Sequence, residues 1–189
     1  MNEFNHIMLD LETMGKRSNS VIVSIAAVPF NLETGEISND VFYERVGFQS
    51  CLNLGLKIQA STVLWWMKQN EEARNEICYG ADDIQTVIEE LNDFFSRLNN
   101  NFQIWGNGAN FDIGILQDAY HICGYNNLPW KFRNERDVRT LVSLAPHIKK
   151  QIINTGISHI PVDDCIFQIN YCHAIYKYLM EDRTKVQNK

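Results

Sequence analysis

The chain has 189 residues, 45% of them apolar and 21% charged, which is the size and mix of one globular domain able to bury a single substantial core. This excludes a disordered tail and a disulfide mini-protein. With 17 Lys and Arg against 23 Asp and Glu, the formal charge is -6 and the pI is near 5.3, so no global electrostatic attraction favours a polyanion such as nucleic acid. Binding of that kind has to come from something local.

Cys51, Cys78, Cys123, Cys165 and Cys172 form no CxxC pair and no zinc-finger spacing, and their odd number reads as reduced thiols, mostly small core residues. The start Met1-Asn2-Glu3-Phe4-Asn5-His6 lacks a basic region, and Ile7-Met8-Leu9 breaks at Asp10, which is no signal peptide. No apolar run approaches the ~20 residues a membrane span needs. A soluble, cytoplasmic protein with no membrane partner is expected. No repeat or low-complexity linker divides the chain, so a single domain over residues 1–180 and a polar, frayed tail over 181–189 are expected.

In chain order, residues 6–12 are an apolar strand that ends in two carboxylates. Residues 21–28 are a buried strand rich in β-branched side chains, and residues 40–46 alternate in the manner of a third. The turn-like residues 31–36 between the last two suit an antiparallel meander. Ser61 is a candidate N-cap for a helix through Val63, Leu64, Trp65, Trp66 and Met67. Ile84, Val87, Ile88, Leu91, Phe94, Phe95 and Leu98 follow the helical template, with Asp82 or Asp83 as cap. Residues 102–105 read as a short strand and Gly106-Asn107-Gly108 as a tight turn. A helix follows over 111–123, a fifth strand over 136–142, and a last helix over about 163–179 with Ile166, Ile169, Cys172, Tyr176 and Leu179 inward. The order describes an α/β sandwich with a mixed sheet.

Asp10 and Glu12 end the first strand, and residues i and i+2 of a strand share a face, so both carboxylates converge. Like charges that close are unfavourable unless a cation joins them, and hard oxygen donors with no Cys or His beside them suit Mg²⁺ or Mn²⁺ rather than zinc. The competing reading is a solvent-exposed strand end. Asp112 opens a helix, where a capping role competes. His159 precedes Asp163 and Asp164 at the start of the last helix, and alone those acids would be ordinary first-turn residues. Together these groups are what a two-metal phosphodiester hydrolase requires, with two cations roughly 4 Å apart on the scissile phosphate. A histidine with an unperturbed pKa of ~6.5 can take the proton of the attacking water.

Asp10-Leu11-Glu12-Thr13-Met14-Gly15 resembles the first motif of the DEDD superfamily of 3′-5′ exonucleases. Asn107 to Leu116, with Phe111-Asp112 inside, resembles the second, and His159 to Asp164 the third in its histidine form. A tyrosine-form enzyme would carry Tyr where Ile160 stands. Pro161 departs from the usual Ala two residues after the histidine, and the adjacent Asp163 leaves the last ligand ambiguous until the family spacing selects Asp164. Ser61 to Gln69, Glu72-Ala73-Arg74 and Arg136 to Thr140 are similar to the exonuclease A group of tailed bacteriophages and its bacterial exoribonuclease-like relatives, over about residues 6–179.

The resemblance implies a ribonuclease H-like α/β fold, a mixed five-stranded sheet flanked by helices. It implies two Mg²⁺ or Mn²⁺ ions held by Asp10, Glu12, Asp112 and Asp164, with His159 as base, in an enzyme that shortens single-stranded DNA or RNA from the 3′ end. It also implies a location in a bacterial cell or phage-infected host, and relatives of this kind often pair as homodimers. An oligoribonuclease-like enzyme confined to short RNA and a catalytically silent nucleic-acid-binding module remain as alternatives.

Substrate contacts are expected from Thr13, Met14, Trp66, Asn107 and Arg139. Trp65 and Trp66 lie about 100° apart on their helix, so one can serve as a platform for a base, with Trp66 taken for that role, and stacking contributes about 1–3 kcal/mol per base; the competing reading is that both fill space between helix and sheet. Met14 is placed to wedge against the last base and the backbone around Thr13 to bind its sugar. Lys131, Arg133, Arg136, Arg139, Lys149 and Lys150 outnumber Glu135 and Asp137 in the one clearly basic segment, a phosphate-contacting track or else a set of surface ion pairs. Eight acids against Arg74 over residues 71–93 hold most of the negative excess, away from the motifs. Two divalent cations would bring the charge from -6 to about -2, which makes nucleic-acid binding dependent on metal.

Overall fold

The computed structural model describes residues 4–78, 82–99 and 101–187. Residues 1–3, on which the signal-peptide reading partly rests, and residues 188–189 of the expected tail lie outside that set. The elements are β1 (His6–Thr13), β2 (Ile22–Phe30), β3 (Phe42–Arg45), α1 (Phe48–Asn53), α2 (Ala60–Trp66), α3 (Glu71–Cys78) and α4 (Ile84–Ser96). There follow β4 (Gln103–Gly106), α5 (Ala109–Ile122), a 3-10 turn (Phe132–Asn134), β5 (Glu135–Asp137), α6 (Val138–Leu144), α7 (Pro146–Lys149) and α8 (Pro161–Gln187).

The sheet runs β3-β2-β1-β4-β5. The meander β1-β2-β3 is antiparallel, as the turn between its strands required, while β4 joins β1 and β5 joins β4 in parallel. This is the mixed five-stranded sheet expected from the sequence. β1 is the central strand, covered on both faces. Ile7, Leu9 and Leu11 point into one core with α4 and α5, where Val87, Ile88, Leu91, Ile115 and Leu116 are fully buried. Met8 points into the other with Phe30, Trp105, Val138 of α6 and Cys165, Ile169 and Cys172 of α8. Asp10 and Glu12, two and four residues beyond Met8, follow the alternation onto this second face.

α4 begins as read: Asp83 accepts the N–H of Gln85 at 3.0 Å. Four expectations change. The fifth strand is only Glu135–Asp137, because the Asp137 carboxylate accepts the N–H of Thr140 at 2.7 Å and starts α6 in place of further strand. α2 starts after Gln59 with no side-chain cap, so Ser61 lies inside the helix. α8 begins at Pro161, a first helical position whose missing N–H costs nothing, and runs past Leu179 to Gln187 through most of the expected tail. Among those of its residues whose burial is described, Pro161, Cys165, Gln168, Ile169, Tyr171, Cys172 and Ile175 are buried, while Ile166, Tyr176 and Leu179 are only partly covered. The short helices α1, α3 and α7 carry no long periodic pattern and were not foreseen.

Cys51, Cys165 and Cys172 are buried, Cys123 is half-buried and Cys78 exposed, all as free thiols. Among the described residues no helix is long and apolar enough to cross a membrane.

Candidate active site

A cavity of about 370 Å³ opens where the carboxyl end of β1 meets the starts of α5 and α8, and Asp10, Glu12, Asp112, His159 and Asp164 all line it. Three remote stretches of chain meet here, each fixed by its own backbone.

Asp112 lies in the first turn of α5 and is 3% exposed. Its Oδ1 accepts the N–H of Leu11 at 3.3 Å and its Oδ2 that of Asn107 at 2.9 Å, both outside α5, so this carboxylate ties β1 and the turn to the cavity and does not cap its own helix. The turn ahead of it depends on Gly108, whose φ of 106° lies in the left-handed region and whose absent Cβ would stand 3.1 Å from the Arg139 guanidinium carbon. Asp137 completes this corner by accepting the N–H of Ala109 at 2.7 Å.

His159 has a φ of 68°, a conformation that costs a non-glycine residue about 1–3 kcal/mol. It is held by its own N–H, which donates to Asp164 Oδ2 at 2.8 Å. Its Nδ1 stands 3.7 Å from Glu12 Oε1, an ion-pair distance longer than a hydrogen bond. The adjacent Glu12 carboxylate raises the imidazole above its ordinary pKa, against the effect of burial and with help from Asp164. Asp163 faces elsewhere: its Oδ2 accepts the N–H of Ile157 at 2.8 Å and it lines a separate small cavity, so of the two acids it is Asp164 that lines the larger cavity with Asp10 and Glu12.

The acids destabilise one another. Burial first, then the charges of Asp112, Glu12 and Asp164, push the Asp10 carboxyl well above its usual range, and the Gln168 amide opposes this through a 2.9 Å bond to Oδ1. Burial pushes Asp112 up to about 7 despite the two N–H groups it accepts. Burial also raises Asp164, against the pull of His159. Carboxylates gathered at such a cost fit a cation, whose charge would reverse every one of these shifts. Donor atoms of Glu12, His159 and Asp164 lie within 4.8 Å of one another, a group able to hold a metal ion, and Asp10 and Asp112 line the same cavity. Gln168 Oε1 is buried beside them with no hydrogen-bond partner.

Of the expected substrate contacts, Asn107 and Arg139 line the cavity and meet each other, Arg139 Nε donating to Asn107 Oδ1 at 3.4 Å. Thr13, Met14 and Trp66 do not line it. Trp66 is 1% exposed and its indole N–H donates to the Thr13 carbonyl at 3.0 Å, leaving no free face for a base and occupying the very carbonyl expected to meet a sugar. Met14 is 3% exposed and packs with Leu9 and Leu11, because the register shift at Glu12/Thr13 sends it to the opposite core. The aromatic that reaches the site is Trp65, 41% exposed, with its ring 4.8 Å from that of His159.

Sequence reasoning missed Gln168, although its position one helical turn past Asp164 was a usable signal. It also missed Asn154, Ser158 and Tyr171, which line the cavity from the loop and from α8. Of the basic segment, only Arg139 and Lys149 reach the cavity, Lys149 with its amine 4.6 Å over the Tyr171 ring.

A strand-borne pair of acids, two further acids at helix starts and an adjacent histidine on a mixed five-stranded sheet define a nuclease of the metal-dependent exonuclease class. The chain belongs to the Rv2179c-like 3′-5′ exoribonuclease domain family, whose model matches residues 5–176. It is a 3′-5′ exonuclease of the DEDD superfamily. It is 26% identical to an exodeoxyribonuclease of enterobacteria phage T4, over 92% of this chain and 89% of the phage protein.

The fold is that of exonuclease I, ribonuclease H-like as expected. One exonuclease I structure superposes with a TM-score of 0.67 at 15% identity, over 94% of this chain. A zinc-bound complex of E. coli exonuclease I with single-stranded DNA gives 0.65 at 14% over 97%. The chain spans less than half of either, 43% and 44%. A full-length 3′-exonuclease gives 0.63 at 11%, over 93% of this chain and 83% of that one.

Proposed function

We propose that this enzyme removes 5′-mononucleotides from the 3′ end of single-stranded DNA or RNA, with two Mg²⁺ or Mn²⁺ ions held by Asp10, Glu12, Asp112 and Asp164. The observation that carries the reading is the convergence of these four acids and His159 on one cavity. Such cations would neutralise the scissile phosphate and the leaving 3′ oxygen and acidify the attacking water. His159, made more basic by Glu12, takes the proton of that water. Its Nδ1 is turned toward Glu12, which leaves Nε2 to accept. The oxygen of water bonds to phosphorus as the bond from phosphorus to the 3′ oxygen breaks, giving a 5′-mononucleotide and a shortened strand with a free 3′ hydroxyl. Asn107 and Arg139 hold the strand on the Asp112 side, and Trp65 is the surface on which a base near His159 can stack.

The sugar is open in a specific way, since the family description names an exoribonuclease and the phage relative an exodeoxyribonuclease. Matched DNA and RNA oligomers of several lengths, assayed with Mg²⁺, Mn²⁺ and EDTA, should show metal-dependent release of 5′-mononucleotides. Release that survives EDTA, or proceeds from the 5′ end, defeats the reading. His159→Ala should depress kcat and leave KM nearly unchanged. Confinement to dinucleotides would favour the oligoribonuclease-like alternative. Pairing into a homodimer is carried as part of the proposal; Leu64 and Met67, exposed on and beside α2, are apolar side chains that a second copy would cover, and light scattering tests it.

A further inference from the structure

The 3-10 turn ahead of β5 carries Phe132 with 75% of its surface exposed, the most exposed aromatic ring among the described residues. The Arg133 guanidinium lies 5.5 Å over that ring, and Lys131 and Arg136 flank it in sequence. In a chain of net charge -6, these cations stand out because the nearby acids are already used. Glu135 accepts from the Gln117 amide and the Trp130 indole, and Asp137 accepts from Ala109 and Thr140. Among the described residues no carboxylate lies within ion-pair distance of Lys131, Arg133 or Arg136: Lys131 donates to Asn101 Oδ1 and Arg136 to the Arg133 and Glu135 carbonyls, while Arg139 is near enough to Asp112 and Asp137 to favour their charged forms. Arg133 instead sits against an aromatic face, the arrangement a single strand finds in a stacking platform with phosphate contacts.

This turn is tied to the catalytic corner by β5. The strand is the sheet edge, and it ends at Asp137, which caps the start of α5. Asp137 and Arg139 line a second cavity of about 630 Å³, which shares Phe111 and Arg139 with the catalytic one. From Asp137 back to Phe132 the chain covers at most about 17 Å, which a strand kept at the duplex rise of about 3.4 Å per nucleotide spans in about five nucleotides and a more extended one in fewer.

We propose that the edge of β5 is a strand-tracking site: a single-stranded nucleic acid whose 3′ end lies in the catalytic cavity passes Arg139, follows β5 and stacks an upstream base on Phe132, with Arg133 on its phosphate. This rests on the exonuclease reading above and deepens it, because it assigns the enzyme strands several nucleotides long. A dinucleotide never reaches the turn.

Steady-state kinetics on a dinucleotide and a twelve-nucleotide strand of matched sequence tests it, with wild type, Phe132→Ala, Arg133→Gln and, as a surface control away from the path, Arg97→Gln. Phe132 and Arg133 are exposed side chains, so their variants should fold. For the long strand, kcat/KM should drop about ten-fold in Phe132→Ala, chiefly through KM. In Arg133→Gln, its dependence on log salt should become shallower by about 0.7. The dinucleotide should be cleaved equally by all four proteins. Equal losses on both substrates, no loss on the long strand, or a wild type that does not favour the longer strand would each overturn the proposal. If the wild type cleaves neither with Mg²⁺ or Mn²⁺, the exonuclease reading itself has failed.

Discussion

The two faces of β1 are made from alternate residues of one strand and serve opposite ends. Ile7, Leu9 and Leu11 pack into the apolar core with α4 and α5, and their burial stabilises the sheet. His6 meets Phe30 and Trp105, while Met8, Asp10 and Glu12 meet α6, α8 and their flanking loops, and here the strand carries charge into a half-closed corner. The first face holds the second in place. The difference teaches that fold and activity can be damaged separately by neighbouring residues, and that stability and function oppose each other on only one side of the sheet.

The largest expected effect separates the faces. Asp10→Asn should lower nucleotide release by more than about 1,000-fold, while the metal-free protein melts at the same or a higher temperature, because one of four mutually repelling groups is gone. A variant that keeps its activity, or unfolds, breaks the comparison. One residue away, Leu9→Ala should show the converse. It is expected to lose about 2–5 kcal/mol in urea unfolding with kcat per folded molecule little changed.

A third test sharpens the contrast within the chemical face. Burial, and then Arg136, lowers His6 to about 4, and its Nδ1 accepts the Trp105 indole N–H at 3.0 Å. The unfolded chain, with an imidazole near 6.5, binds the extra proton between those values. Stability from His6 is therefore complete above about pH 6.5 and is lost as pH falls toward 4, up to about 3 kcal/mol. His6→Gln, which can still accept from Trp105, should flatten that limb of the unfolding curve. Asp112 at the other end of β1 has the opposite sign: its raised folded value makes metal-free stability fall as pH rises from about 4 through 7. The smallest expected effect is a rise of a few degrees in Tm with Mn²⁺, growing with pH as the acids shed protons to bind it. A Tm that ignores Mn²⁺ at pH 8 would remove the cation from the account.

Much of this corner was legible because its signals are local. An apolar run ending in Asp-x-Glu fixes both the strand and the face its acids share, and the spacing from His159 to Asp164 is realised as a hydrogen bond across the first turn of α8. The misses have equally local causes. Val138 to Val142 reads as strand until the Asp137 side chain captures Thr140 and turns the chain into a helix. Helical spacing prefers neither Trp65 nor Trp66 as the platform, and the choice of Trp66 fails because its ring packs into the core and its indole N–H is bonded to Thr13, both distant in sequence. Met14 was assigned to the wrong side because a one-residue register shift leaves no mark in composition.

The bond from the His159 amide to Asp164 has a consequence for how the corner can be disturbed. The carboxylate that lines the cavity beside Glu12 also holds the histidine in its left-handed posture, and it does so before any cation arrives. A substitution at Asp164 would therefore remove an acid of the cavity and the acceptor that fixes the histidine backbone in one stroke.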